Sequence, residues 1–171
     1  MMRIVVDAAL QKPEAGACWI IMDSARFLEL SITPKERSMQ LNPYLIFNGQ
    51  CEAAFKFYEE RLGGKILVML THGSSPMAEQ GLPEWRNKIM HARLTVGDAV
   101  LMGSDSPPDH HEEMKGFYVA LNTEAPADAE RIFHALAENG TVRMPLQETF
   151  WAARFGMLVD QFGVPWMINC E

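Results

Sequence analysis

Two segments of the chain carry apolar residues at helical spacing, and each is followed by a glycine stop signal. The first runs over residues 51–62 and ends at Gly63-Gly64, and the second runs over residues 127–138 and ends at Asn139-Gly140. We therefore predict two amphipathic helices, one in each half of the chain. Their apolar faces comprise Ala54, Phe57, Tyr58, Ala129, Ile132, Phe133 and Leu136.

Short runs rich in β-branched and aromatic residues follow and precede both helical segments. The predicted strands are residues 42–47, 65–71, 91–96 and 99–104 in the first half and 117–121, 142–146, 154–159 and 165–169 in the second. Each half therefore has the order β-α-β-β-β. We predict an α+β fold in which two such modules, over about residues 42–105 and 116–170, form a cupped mixed sheet around a cavity.

The first 38 residues show no sustained hydrophobic period, so we treat residues 1–38 as an N-terminal extension and residues 39–171 as the domain. One hypothesis is that Met39 is the native start, with Lys35-Glu36-Arg37 translating a purine-rich ribosome-binding site. The alternative is a genuine arm that packs on the domain or on a partner.

Composition and charge exclude several functional classes. The chain is 48% hydrophobic and has a net charge of −7, and it has no run of Lys and Arg. Binding to DNA, RNA or anionic lipid depends on such clusters, so we expect neither a nucleic-acid nor a membrane partner. Its three cysteines are scattered and odd in number, and no signal peptide is evident. A cytoplasmic protein is the expectation.

Several stretches after Met39 have an unusual sequence that together indicates a family. They are NPYLIFNG (residues 42–49), CEAAFKFY (51–58), LGG (62–64), IMHA (89–92), LMGSD (101–105), MPLQETFWA (144–152) and FGVPWMIN (162–169). This part of the chain resembles the vicinal oxygen chelate superfamily, which holds glyoxalase I, extradiol dioxygenases and bleomycin-resistance proteins. The branch it resembles most is the PhnB-like family.

The resemblance implies paired β-α-β-β-β modules, a homodimer and a divalent metal in the cavity, held by residues of the first and last strand of each module. In this chain those positions align with Pro43 or Tyr44, Met102, Phe117 and Met167. Pro, Met and Phe lack the nitrogen or carboxylate oxygen that such metals need. We therefore predict no metal cofactor, although a strand register shifted by one residue would change the aligned residues.

Two titratable residues are candidates for acid–base catalysis. Strand alternation places His91, Arg93 and Thr95 on the concave side of the sheet, where His91 could transfer protons. Glu148 would act as a general base if burial in an aromatic cavity raised its pKa. The alternatives are a hydrogen-bonded structural histidine and a Glu148 that pairs with Arg93 or Arg154.

The predicted ligand-binding residues combine flat, flexible and polar side chains. Aromatic rings would form flat walls for a planar ligand, although plain core packing is the favoured alternative for Trp166. The set comprises Tyr44, Arg93, Met102, Ser104, Phe117, Trp151 and Trp166.

Three functional hypotheses follow from these patterns. The first is a metal-free, homodimeric protein that binds a small, partly aromatic metabolite or drug. The second is a lyase, isomerase or dioxygenase, either metal-assisted or using His91 and Glu148 in acid–base chemistry. The third is a purely structural partner module, a role that gives no reason for a cupped sheet.

Overall fold

The protein is described here from a computed structural model covering residues 39–76 and 83–171. The two hypotheses about residues 1–38 concern a segment outside these described residues. Within them, no helix is long and apolar enough to cross a membrane.

Each half of the described chain forms one four-stranded sheet with one helix. The first module contains β1 (Tyr44–Phe47), α1 (Cys51–Leu62), β2 (Lys65–Thr71), β3 (Ile89–Val96) and β4 (Ala99–Asp105). The second contains β5 (Val119–Thr123), α2 (Pro126–Ala137), β6 (Thr141–Gln147), β7 (Arg154–Val159) and β8 (Pro165–Cys170). The predicted α+β class and the paired β-α-β-β-β order are confirmed.

The two sheets have the same strand order. The first runs β1-β4-β3-β2 and the second β5-β8-β7-β6. In each sheet the first and last strands of the module pair in parallel, and the other neighbours are antiparallel. Each helix packs on one face of its own sheet. The opposite face, which we call the uncovered face, has no helix of its own module on it.

Both helices bury an apolar stripe against their sheets. In α2 the buried residues are those that the periodicity predicts. In α1, Phe55 is fully buried, whereas the predicted Phe57 is only partly buried. Phe55 fits because Gly103 lies beneath it: a Cβ at Gly103 would come within 2.8 Å of the Phe55 ring and 2.9 Å of the Leu45 carbonyl oxygen. This close approach requires a residue without a side chain.

Asp105 ties α1 to β3 inside the first module. This buried carboxylate accepts a 2.9 Å hydrogen bond from the backbone N–H of Cys51 and a 2.7 Å bond from that of Ile89. Cys51 is the first residue of α1, where backbone N–H groups lack helical partners and a negative charge is favourable. One side chain thus fixes the start of a helix and the start of a strand.

A second buried carboxylate joins the two modules. Asp160 accepts hydrogen bonds from the Tyr58 hydroxyl at 2.6 Å and from the Trp166 Nε1–H at 2.8 Å. Its other oxygen accepts from the backbone N–H groups of Phe162 and Val164. The rings of Tyr58 and Trp166 lie 5.3 Å apart, edge to face. Because Tyr58 belongs to α1 and Asp160 follows β7, the contact holds one module against the other.

Strand β5 begins later than the sequence indicates. The predicted strand covers residues 117–121, but the observed strand is Val119–Thr123, and Phe117 lies in the preceding linker. Gly116 has a φ of +78°, a left-handed conformation that turns the chain just before Phe117. The residue paired with Met167 is therefore Ala120, and the alignment of Phe117 with that position is wrong.

Candidate functional site

The uncovered face of the first sheet gathers five of the residues singled out from the sequence. Tyr44 on β1 pairs with Met102 on β4, which pairs with Arg93 on β3. The same register places Ser104 beside His91 in the neighbouring row. Cross-strand neighbours point to the same side of a sheet, so these five side chains form two adjacent rows. We call them the first-sheet site.

Tyr44 and His91 contact each other across this face. The Tyr44 hydroxyl and Nδ1 of His91 lie 3.2 Å apart and share a hydrogen bond, and the two rings stack with their centroids 5.8 Å apart. Which group donates is set by the tautomer of His91. Strand β4 lies between β1 and β3, so this contact crosses the strand that carries Met102 and Ser104. With Nδ1 engaged, Nε2 of His91 is the ring nitrogen left for a ligand.

Arg93 has no acidic partner among the described residues. Its Nε is buried and makes no hydrogen bond there, and the ion pairs of the described chain do not include it. The predicted alternative in which Arg93 pairs with Glu148 is therefore wrong. Val68 and Met102 stand on either side of Arg93 on the neighbouring strands. A cation thus stands in a mainly apolar row with its planar donor group unused.

A cavity of about 260 Å³ lies at the edge of the first sheet, along strand β1. The linker between β4 and β5, which contains Phe117, forms its other wall, so the cavity brings Tyr44 and Phe117 together. Glu112 and His110 add polar groups to this wall. These two residues lie in a polar loop, where no periodic pattern indicates which side chains face a cavity. The cavity lining comprises Tyr44, Leu45, Ile46, His110, Glu112, Met114 and Phe117.

The candidates of the second module lie away from the first-sheet site. Trp151 is 50% exposed and its ring lies 5.5 Å from that of Phe155. Glu148 is exposed, so the burial that its role as a general base would require is absent here. The alternative pairing of Glu148 with Arg154 is also wrong, because Arg154 pairs with Glu130 at 2.8 Å. Within the described residues, no hydrogen bond joins Glu148 to His91.

Trp166 belongs to the core rather than to a ligand surface. It is 1% exposed, and its indole N–H is used by Asp160. The start of β8 does not alternate, since Pro165 and Trp166 are both buried. The assignment of Trp166 to a ligand-binding set is therefore wrong, whereas core packing, the alternative favoured from the sequence, describes it.

The positions that the family uses for metal ligands hold unsuitable side chains here. In the observed registers Tyr44 pairs with Met102 and Ala120 pairs with Met167 across the first and last strands of each module. A phenol, two thioethers and a methyl group do not form the nitrogen and carboxylate set that Zn²⁺, Mn²⁺ or Fe²⁺ requires. Across residues 39–76 and 83–171, no group of three or more His, Cys, Asp or Glu side chains converges as metal ligands would. The residues do not fit a divalent metal.

The strongest pKa shifts fall outside this site. Burial raises the pKa of Tyr58 well above its ordinary value, and the adjacent Asp160 charge adds to the effect. Burial also raises the pKa of the Cys51 thiol, with a smaller contribution from Asp105. Both groups face the core, so the shifts reflect packing and not a reactive centre.

Comparison with known proteins gives a consistent set of relatives. A family model described as "Glyoxalase/Bleomycin resistance protein/Dioxygenase superfamily" matches residues 40–168. The chain is 37% identical over 139 residues to Protein YjdN of Escherichia coli (strain K12). This match covers 77% of this chain and 95% of YjdN.

Solved structures with the same fold include two bacterial proteins. Protein PA1353 from Pseudomonas aeruginosa is 53% identical with a TM-score of 0.72, over 78% of this chain and 98% of that one. The PhnB protein from Bacillus cereus is 24% identical with a TM-score of 0.66, over 78% of this chain and all of that one, 100%. At 24% identity, the second likeness concerns the fold alone.

Proposed function

Because the chain belongs to the glyoxalase/bleomycin resistance/dioxygenase superfamily, we propose that it is a small-molecule-binding protein whose ligand lies on the first-sheet site. One observation carries the proposal: Tyr44, His91, Arg93, Met102 and Ser104 occupy two adjacent rows of a face that no helix of the module covers. A stacked tyrosine and histidine offer a flat surface, and the methionine adapts to the ligand's shape.

The proposal includes the absence of a metal cofactor. The side chains of Tyr44, Met102, Ala120 and Met167, which pair across the first and last strands of the modules, support it. Elemental analysis of untagged protein, followed by calorimetric titration with Zn²⁺, Ni²⁺, Mn²⁺ and, without oxygen, Fe²⁺, is the direct test. We expect no tight binding, and one tightly bound metal per site would contradict this part of the proposal.

The binding experiment uses a thermal-shift screen of small planar compounds, followed by NMR titration of those that stabilise the protein. We expect the resonances of the first-sheet site to shift, and we expect Tyr44→Ala to weaken binding by roughly tenfold, since a buried aromatic contact contributes about 1–2 kcal/mol. Tyr118→Ala is the matched control, because Tyr118 is similarly exposed, 40% against 45%, but lies in the linker. Shifts confined to other surfaces would contradict the proposal.

An enzyme acting through His91 is the second candidate, and the hydrogen bond between Tyr44 and His91 favours it. Tyr44 would hold the imidazole so that Nε2 exchanges a proton with the ligand. Glu148 stands outside this arrangement, so the paired acid–base mechanism of His91 and Glu148 has no geometric support in one chain. A ligand that the wild-type protein chemically converts and that His91→Gln binds without conversion would favour the enzyme. A ligand that is bound and recovered unchanged favours the binding protein.

The proposal also places the protein in the cytoplasm as a homodimer. Among the described cysteines, Cys51 and Cys170 are buried and unpaired, as expected in a reducing compartment. Apolar side chains remain exposed on the sheets and in the loop after β6, and a second copy would cover them. They include Leu67, Leu70, Phe150 and Trp151, all between 44% and 95% exposed.

A further inference from the structure

Arg93, the cation of the first-sheet site, forms no ion pair within the described residues, unlike three other arginines. Arg61, Arg131 and Arg154 each form an ion pair with a glutamate or aspartate. Arg93 is also partly buried, yet the described chain offers it no acidic group. The Nε of Arg93 is buried without a hydrogen-bond partner, and leaving a buried donor unpaired is unfavourable. An oxyanion bound on this face would supply the missing acceptor and counter-charge.

Two acidic residues on neighbouring parts of the chain, Asp105 and Glu112, form no ion pair with Arg93. Asp105, at the end of the adjacent strand, points to the helix side, where it accepts from Cys51 and Ile89. Glu112 lines the cavity on the far side of β1. Along the row itself, Arg93 has Val68 and Met102 as neighbours, which offer no charge.

The geometry points to an oxyanion as the group that Arg93 binds. We propose that the ligand of the first-sheet site is a planar organic anion whose carboxylate or phosphoryl oxygens pair with the Arg93 guanidinium, while its flat part rests against Tyr44 and His91. This inference rests on the proposed binding function and adds the chemical class of the ligand. A guanidinium presents two parallel N–H groups, which match two oxygens of a carboxylate or phosphate.

The neighbouring residues extend the same recognition. Ser104 lies in the adjacent row and has a hydroxyl that donates to an anion, and Nε2 of His91 is not used by Tyr44. Met102 lies directly between Arg93 and Tyr44 across the sheet. The Tyr44 ring reaches over β4 to His91, and His91 lies two residues from Arg93 on β3, roughly 7 Å along the strand. A single-ring aryl anion has about this length.

The test compares three probes of similar shape: benzoate, phenyl phosphate and neutral benzamide. Each is titrated by NMR into the full-length wild-type protein, Arg93→Met and Arg93→Lys. We expect an anion to bind the wild type more tightly than benzamide, and we expect Arg93→Met to weaken that anion by roughly tenfold or more while leaving benzamide unchanged. Arg93→Lys should bind the anion at an intermediate level, because it keeps the charge and loses the paired donors.

Arg143→Gln is the matched control, since Arg143 is exposed on β6 and its loss changes the net charge by the same amount. It should leave all three affinities unchanged. If Arg93→Met unfolds, the comparison of wild type with Arg93→Lys decides. Preference for benzoate over phenyl phosphate, or the reverse, identifies a carboxylate or a phosphoryl ligand.

Two results would overturn the inference, and they separate it from the proposed function. If benzamide binds the first-sheet site as tightly as both anions, the anion preference is wrong and the binding function stands. If neither the anions nor benzamide shift the resonances of that site, both are wrong. Equal anion affinity in wild type and Arg93→Met would also reject Arg93 as the anchor.

Discussion

At the scale of single residues, Tyr58 and Asp160 show how burial increases the contribution of one hydrogen bond to the free energy of unfolding. The tyrosine hydroxyl donates at 2.6 Å to a carboxylate that is 4% exposed. Bonds to charged groups contribute about 1.5–3 kcal/mol, and more is lost when a buried partner is left unsatisfied. The carboxylate also keeps Tyr58 protonated, because an ionised phenol would face a like charge.

Alkaline pH should weaken the fold through Tyr58. Below about pH 10 the phenol is protonated in both the folded and the unfolded chain, so its contribution is complete. Above that pH only the unfolded chain loses the proton, since the pKa of Tyr58 is raised in the folded state. The free energy of unfolding should therefore fall as the pH rises beyond 10.

Urea unfolding between pH 8 and 11 measures this effect. We expect Tyr58→Phe to lose about 1.5–3 kcal/mol at pH 8 and then to fall less steeply than the wild type. Tyr118→Phe, at an exposed position, should follow the wild type. Parallel pH profiles for wild type and Tyr58→Phe would show that Tyr58 does not carry the dependence.

Trp166 and Glu148 show why site residues are harder to predict than elements. Alternation in a strand indicates which residues share a face, but it is unreliable where a strand begins. Trp166 is the second residue of β8, and both it and Pro165 before it are buried. Glu148 lies beyond the end of β6, where periodicity gives no direction. His91, Arg93 and Ser104 lie inside long strands, and their predicted face could be derived because alternation holds there.

At the scale of secondary-structure elements, Asp105 connects the start of α1 to the start of β3. Asp105→Asn replaces one accepting oxygen with an NH₂ group that faces a backbone N–H. We expect a loss of about 2–3 kcal/mol in the free energy of unfolding. Asp128→Asn is the control, because Asp128 makes an exposed ion pair with Arg131 and such pairs contribute about 0–1 kcal/mol. Equal stabilities of the two variants would contradict the role of Asp105.

Close packing between α1 and β4 gives another expectation at this scale. A Cβ at Gly103 would collide with the Phe55 ring and with the Leu45 carbonyl oxygen, and the latter belongs to rigid backbone. Gly103→Ala should therefore lower the free energy of unfolding by about 1–3 kcal/mol. Ala99→Ser, at an exposed position on the same strand, should change it by less than about 0.5 kcal/mol. An unchanged urea midpoint for Gly103→Ala would contradict this expectation.

The elements themselves were largely predictable, and the exceptions have physical causes. The apolar face of α2 follows its periodicity, so its four buried residues could be named from the sequence. Phe55 could not, because its burial depends on a glycine in a strand far along the chain. The start of β5 could not either, since Phe117 and Tyr118 continue the apolar run of the strand although both lie in the linker before it.

At the scale of the whole molecule, the family resemblance drawn from the sequence is confirmed by the match over residues 40–168. The PhnB protein from Bacillus cereus has the same fold. Long stretches of unusual sequence, such as FGVPWMIN, made the family predictable. The ligand was not, because family membership fixes the scaffold while the side chains on the uncovered faces determine what binds.

The exposed apolar side chains of the sheets predict association. Analytical ultracentrifugation of the wild type should give twice the chain mass of 19.3 kDa. Leu70→Glu, which places a charge on the first sheet, should shift the protein to monomer. Leu41→Glu makes the same change at a fully exposed residue before β1 and should remain dimeric. A monomeric wild type would remove the homodimer from the proposal.

The contact between Tyr58 and Asp160 also makes the two halves of the chain non-interchangeable. Helices α1 and α2 each have 12 residues, and superposing their starts puts Tyr58 at the place of Phe133. Asp160 follows the end of β7, whereas Gly97 follows the end of β3. One half thus supplies the donor and the other the acceptor, and neither has both. If the halves arose by duplication, their later divergence left the donor in the first half and the acceptor in the second. Two copies of either half would therefore lack one partner of the hydrogen bond that joins the modules.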